Sequence, residues 1–200
     1  MTAVLTGDII NSKQGTTPDW MLNLKEALAF FGMEPTQWEI YRGDSFQLEI
    51  DPLKALEAAI FIKASIKKEK NLDVRIAIGI GEKNYTSDHV TSSNGTAFVH
   101  SGECFDRLKK INLALQTSWS ELDEHINLLL ELALLTMNSW LPATATIVRA
   151  ALKHQELSQK ELAKMLGKSQ SSISEALSRA GYDEILKLIA TYQKKIKTLC

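Results

Sequence analysis

The 200-residue sequence has few of the features that mark secreted, metal-bound or membrane-spanning proteins. Its two cysteines, Cys104 and Cys200, form no CxxC spacing, so they predict neither a disulfide framework nor a zinc site. No apolar run reaches the roughly 18 residues of a membrane helix. The N-terminal stretch also lacks the basic start and long apolar segment of a signal peptide. We therefore expect a cytoplasmic protein without a membrane partner.

Net charge is also small, but its distribution along the chain is uneven. From position 145 onward there are ten basic and five acidic residues, a net of +5. The formal charge of −1 for the whole chain then leaves −6 for residues 1–144. A basic end joined to an acidic body indicates that the end meets a polyanion. A solvated basic helix is the alternative, and charge alone does not separate the two.

Hydrophobic periodicity divides residues 1–118 into alternating strands and helices. Strands are predicted near 3–7, 38–42, 46–50, 74–78 and 111–116, and helices near 18–31, 52–69 and 98–109. Gly43-Asp44 joins the second and third strands as a β-hairpin turn. This order predicts an α+β fold: a ferredoxin-like βαββαβ palm domain over residues 1–118, extended by one αβ unit.

Residues 119–200 are predicted to be all helical, with breaks at Ser158, Gly167-Lys168 and Gly181. Ser158 and Glu161 have the spacing of a capping box, which starts a helix. Gly167 suits the left-handed turn that ends this helix, and Ser169 can cap the next one. Residues 157–177 thereby resemble the helix-turn-helix of phage repressors and many bacterial regulators.

This resemblance implies that the start of the second helix enters the major groove of duplex DNA. Gln170, Ser171 and Ser174 would then face base edges beside the capping Ser169. Lys168, where that family usually has an apolar residue, and Arg179 would lie near phosphates. The alternative is an αα-hairpin that serves only packing or dimerisation.

Two carboxylates stand out in the first half of the chain. Asp8 is predicted just past the first strand, and Asp44 lies in the hairpin turn. A ferredoxin-like sheet can place the first strand beside the hairpin, which would bring these carboxylates together. Carboxylates on adjacent strands suit divalent ions that hold a triphosphate. The other interpretation is that both are ordinary turn and loop residues.

The motifs around these carboxylates resemble the SatD family, which is similar to class III nucleotidyl cyclases and GGDEF domains. The matching segments are Gly7-Asp8-Ile9-Ile10, residues 43–47 and residues 75–82. The resemblance implies a metal site of Asp8, Asp44 and the Ile9 backbone carbonyl. It also implies nucleotide contacts at Lys13 and Gly43, with Mg²⁺ and a nucleoside triphosphate as ligands.

One residue departs from that pattern and separates the functional hypotheses. The SatD motif often has a Glu where this chain has Ser45, so a third carboxylate is missing, and Arg107 is only a weak candidate for a catalytic arginine. We favour a homodimeric DNA-binding regulator whose palm binds metal and nucleotide or mediates dimerisation. A nucleotidyl cyclase or nucleotide-polymerising enzyme tethered to DNA is the alternative, and a structural module of two packing parts is the third.

Overall fold

A five-stranded sheet forms the first half of the protein, in a computed structural model that describes residues 1–14 and 17–199. The strands are β1 Thr2–Ile10, β2 Trp38–Tyr41, β3 Ser45–Ile50, β4 Asp73–Gly81 and β5 Leu113–Gln116. The helices of this half are α1 Thr17–Ala29, α2 Ala55–Ile66 and α3 Thr96–Arg107. Cys200 lies outside the described residues, whereas Cys104 is buried in α3 as a free thiol.

The strands run in the order β2-β3-β1-β4-β5 across the sheet. The central strand β1 is antiparallel to β3 and to β4, and β5 adds parallel to β4. The predicted hairpin is present, because β2 and β3 pair with Tyr41 opposite Ser45. The predicted α+β class is thereby confirmed, with the first strand next to the hairpin.

The two faces of β1 have different neighbours, as the two-residue repeat of a strand requires. Ala3, Leu5 and Ile9 belong to the main hydrophobic core, together with α1 and α2. Val4 lies on the opposite face with Ala97 of α3, and the Thr6 hydroxyl is 3.0 Å from that of Ser101. Asp8 follows in this second series, so the sheet face beneath α3 carries its side chain.

Two strand boundaries differ from the prediction. β1 continues to Ile10, so Asp8 lies within the strand because its backbone still pairs with β3 and β4 on both sides. β4 was expected to stop in Gly79-Ile80-Gly81 but runs through Gly81. The glycines admit α3 instead of ending the strand: a Cβ at Gly79 would lie 2.2 Å from the Ser101 nitrogen.

Up to residue 199, where the description ends, the sheet is followed by α4 Ser120–Met137, α5 Pro142–Lys153, α6 Gln159–Met165, α7 Gln170–Arg179 and α8 Tyr182–Lys197. The predicted domain boundary at 118/119 falls between β5 and α4, and one hydrophobic cluster continues across it from α2 and β4 to α5 and α8. Within the described ranges, no helix has the length and apolar character needed to cross a membrane.

Candidate functional site

The helices α6 and α7 are joined by a tight turn whose ends are fixed by side-chain hydrogen bonds. The Ser158 backbone N–H donates to Glu161 Oε2 (2.8 Å), and the Glu161 N–H donates to Ser158 Oγ (3.3 Å). This reciprocal pair is the predicted capping box, and it satisfies two backbone donors that the first helical turn leaves free. The hydrogen bonds also lower the pKa of the Glu161 carboxyl, because they favour its ionised form.

The turn itself depends on Gly167, whose φ of +63° is in the left-handed region. The Lys168 N–H donates to the Ala163 carbonyl (2.9 Å), and the Gly167 N–H donates to the Lys164 carbonyl (3.3 Å). These two bonds form a Schellman motif, which closes α6. Ser169 then caps α7 by accepting a hydrogen bond from the Ser172 N–H (3.2 Å). The predicted turn and both caps are confirmed.

A small apolar core sets the angle between the two helices. Leu162 and Ala163 of α6 are buried, and so are Ile173 and Leu177 of α7. Leu166 is partly buried against the same cluster, and Ile173 and Leu177 share one side of α7 at a spacing of four residues. α7 also packs on α5 and α8, so the side of α7 that faces the protein is covered by these helices.

The outer face of α7 is open to solvent. All six predicted DNA-binding residues are exposed: Lys168, Ser169, Gln170, Ser171, Ser174 and Arg179. Entry of α7 into a groove requires that Gln170 and Arg179 not be buried against residues 121–138, and this condition is met. The Ser169 hydroxyl is occupied by its cap, and Arg179 pairs with Glu175 at 3.6 Å, one turn earlier.

Comparison with known families matches a helix-turn-helix family model to residues 148–196. This C-terminal segment is a helix-turn-helix. The match covers α6 and α7, the second half of α5 and nearly all of α8. Neither the comparison with curated proteins nor that with solved structures found a match.

The helix-turn-helix exposes two further lysines that sequence reasoning did not select. Lys160 and Lys164 lie on α6 at a spacing of four residues, and both are exposed. Residues four apart share one side of a helix, so these two lysines lie on one side of α6, with Lys164 one position short of the end of the helix. The four-residue spacing of these lysines is visible in the sequence once the bounds of α6 are known.

The helix-turn-helix is held firmly against the sheet half. The Tyr192 hydroxyl of α8 is buried and donates to the Pro52 carbonyl at 2.6 Å. Arg149 of α5 donates through Nε to the Ser65 hydroxyl of α2 (3.1 Å) and through Nη2 to Glu26 of α1 (3.0 Å). Trp140 Nε1 donates to the Ala180 carbonyl at the end of α7 (3.1 Å). Tyr192 and Arg149 thus join α8 and α5 to the sheet half, and Trp140 joins the end of α7 to the segment before α5.

A second group of polar residues lies at the hairpin end of β1. Asp8 is opposite Ser45 on β3, and the Ile9 N–H donates to the Asp44 carbonyl oxygen at 3.1 Å. The Asp44 carboxylate accepts a hydrogen bond from the Ser12 hydroxyl at 2.7 Å. The pairing of β1 with the hairpin thus brings the backbone of β1 next to Asp8 against the turn that contains Asp44.

Arg75 of β4 is the residue of this group that sequence reasoning missed. Its Nε donates to Asp8 Oδ1 at 2.9 Å and its Nη2 to Asp8 Oδ2, so both carboxylate oxygens have a guanidinium donor. The pKa of Arg75 is raised chiefly by this hydrogen bonding to Asp8. The guanidinium also lies 5.3 Å from the ring centroid of Phe105.

The other residues predicted for this group are less closely connected. Lys13 and Gly43 are exposed on the turns after β1 and between β2 and β3. Arg107 donates to Gln116 of β5. Among residues 1–14 and 17–199, no cluster of three or more His, Cys, Asp or Glu side chains could hold a metal ion.

Proposed function

We propose that the protein is a DNA-binding transcriptional regulator of the SatD type that acts in the cytoplasm. The observation that carries this proposal is the free outer face of α7, with Gln170 exposed at the start of the helix that follows Gly167. In a helix-turn-helix this position enters the major groove, where a Gln side chain can read adenine through two hydrogen bonds.

The charge around the turn supports the same function. Lys160, Lys164 and Lys168 are all exposed, and positively charged side chains beside a recognition helix contact phosphates. They fix the position of the helix on DNA while Gln170, Ser171 and Ser174 face the bases. Two copies in a homodimer would read two half-sites one helical turn apart.

The test is a fluorescence or gel-shift titration of the full chain against genomic fragments near its own operon. We expect binding that weakens steeply with salt, because each neutralised phosphate releases counterions. A matched variant, Lys160→Ala with Lys164→Ala, should bind more weakly, whereas Lys25→Ala on α1 should not. Absence of any salt-sensitive binding near 50 mM salt would leave only the packing interpretation.

We further propose that the sheet half is a ferredoxin-like palm that senses a nucleotide. The strand order β2-β3-β1-β4 with antiparallel neighbours supports this assignment, β5 being the added strand. Asp8 and Asp44, with the Ile9 carbonyl, are the candidate Mg²⁺ ligands, and Lys13 and Gly43 the candidate triphosphate contacts. A bound Mg²⁺ would neutralise part of the negative charge of the triphosphate.

Arg75 opposes a metal ion at Asp8 in the present arrangement. Its two hydrogen bonds engage both oxygens that an ion would use, so a metal ion would compete with the guanidinium for the Asp8 carboxylate. This favours ligand sensing over cyclase or polymerase turnover. Calorimetric titration with Mg²⁺ and a nucleoside triphosphate should show tighter metal binding in Arg75→Gln than in wild type. No heat in either protein would end the proposal for this site.

A further inference from the structure

Three leucines form an uncovered ridge on α4. Leu128, Leu132 and Leu135 are 60%, 56% and 77% exposed, and their spacing puts them on one side of the helix. The opposite side of α4 is already buried against the rest of the chain through Leu122, Ile126, Leu130, Leu134 and Met137. The ridge is therefore available although α4 is well packed, and single-chain proteins seldom leave such apolar surface open.

A groove runs along each side of this leucine ridge. Leu132 lines a groove of about 520 Å³ between α4 and α8. Leu128 lines another of about 750 Å³, between α4 and the segment that joins α3 to β5. Helices associate when the ridge of one fits a groove of the other. One surface that contains both features can pair with a copy of itself.

The charges beside the ridge identify the occupant as a second copy of this chain. Glu124 and Glu131 of α4 line the larger groove together with Lys109 and Lys110. A two-fold interface brings the same patch against itself, so it needs both signs of charge on one rim. A partner of one charge sign, such as a nucleic acid, would meet repulsion along half of this rim.

We propose that the protein dimerises through α4, with the two helices antiparallel and the two-fold axis close to Leu132. Leu132 is the middle residue of the ridge, so this axis sets Leu128 of one protomer near Leu135 of the other. If α7 reads DNA as proposed above, this two-fold axis presents two copies of α7 to two half-sites.

The first test measures molecular mass by light scattering at micromolar concentration. Wild type should have twice the chain mass of 22.3 kDa, and Leu132→Arg and Leu128→Arg should each have the mass of one chain. The matched control is Leu22→Arg on α1, where a leucine of 59% exposure lies outside the ridge; it should stay dimeric. Thermal melts establish that each variant is folded. A monomeric wild type, or a dimeric Leu132→Arg, would overturn the proposal.

The second test locates the axis by disulfide formation in a Cys200→Ser background. Leu132→Cys should give a cross-linked dimer on mild oxidation, because residues next to a two-fold axis come within the 4.4–6.8 Å that a disulfide needs between Cα atoms. Leu22→Cys should not. A dimer in solution without this cross-link would contradict the antiparallel pairing.

DNA titrations separate this proposal from the proposed function. If the dimer forms through α4 and α7 reads DNA, monomeric Leu132→Arg should lose affinity for a two-half-site duplex but keep its affinity for one half-site. A wild-type dimer that binds no DNA would refute DNA binding and leave the α4 interface intact.

Discussion

Gly167 is the residue on which the turn between α6 and α7 depends most directly. Its φ of +63° strains any residue that has a Cβ, yet among the described residues, its chain neighbours aside, no atom lies within 4 Å of the place where that Cβ would be. The cost of a substitution is therefore confined to the backbone. A substitution of Gly167 therefore measures how much the left-handed turn contributes to the free energy of unfolding.

We predict that Gly167→Ala lowers the free energy of unfolding by about 1 kcal/mol or slightly more. Gly102 is the matched control: it lies inside α3, and its added Cβ would also meet nothing within 4 Å. Since alanine suits a helix interior better than glycine, Gly102→Ala should stabilise by about 0.5–1 kcal/mol. Chemical denaturation measures both changes, and equal effects of the same sign would show that the turn conformation is not as described.

At the scale of elements, the capping box gives α6 a dependence on pH. The pKa of Glu161 is below its ordinary value of 4.5 because Ser158 hydrogen-bonds the carboxylate. Because the pKa of Glu161 is lower in the folded state than in the unfolded chain, its ionised carboxylate stabilises the fold above pH 4.5. This contribution is lost as the pH falls through the folded-state pKa of Glu161.

Ser158→Ala should therefore destabilise by about 1 kcal/mol at pH 7 and by less at pH 3. Unfolding curves at the two pH values measure the difference. Ser178→Ala, at an exposed position within α7, is the control and should not destabilise at either pH. A Ser158→Ala effect that is the same at both pH values would contradict the role given to Glu161.

The helix-turn-helix was the part of the fold that sequence predicted best, for a physical reason. The Ser158 cap, the Gly167 turn and the Ser169 cap are all formed with residues at most five positions away. Asp8 and Arg75 are instead 67 positions apart and meet only through the register of β1 and β4. Periodicity predicts that a strand exists but does not predict its register, so Arg75 was missed.

The extent of β4 was misjudged for a related reason. Glycine commonly ends a strand, and only the approach of the α3 backbone explains why Gly79 and Gly81 continue this one. The buried side of α4, by contrast, is predictable from sequence, because its apolar residues recur at helical spacing. The hydrogen bonds that anchor α5 to α2, and α8 to the turn before α2, likewise join residues more than 80 positions apart.

At the scale of the whole molecule, a buried ionic cluster connects the sheet to α4. Asp73 accepts hydrogen bonds from Lys63 (2.7 Å) and Lys67 (3.3 Å) of the α2 region. Lys67 also donates to the Asn138 carbonyl at the end of α4 (2.9 Å). Burial lowers the pKa of Lys63 to about 8 in spite of Asp73. Among the described residues, the Asp73 carboxylate forms ion pairs with both buried ammonium groups.

We predict that Asp73→Asn destabilises by about 3–5 kcal/mol, because it leaves buried charge unpaired. Lys63→Met should cost clearly less, since Lys67 still pairs with Asp73. Asp106→Asn, at an exposed position of α3, should be neutral within about 0.5 kcal/mol. Denaturant titrations of the three variants rank them, and a Lys63→Met effect as large as that of Asp73→Asn would contradict this account.

We propose that α7 reads DNA bases, while the lysines around the turn position the helix on the phosphates. The direct measurement is the affinity of wild type, Lys168→Ala and Gln170→Ala for a bound operator fragment and its single-base variants, over a range of salt concentrations. Lys168→Ala should weaken all sequences alike and reduce the salt slope by roughly 1. Gln170→Ala should cost about 1–3 kcal/mol at one base position and relax specificity there. If the two variants lose the same affinity on every sequence, or neither loses any, α7 is not the recognition helix.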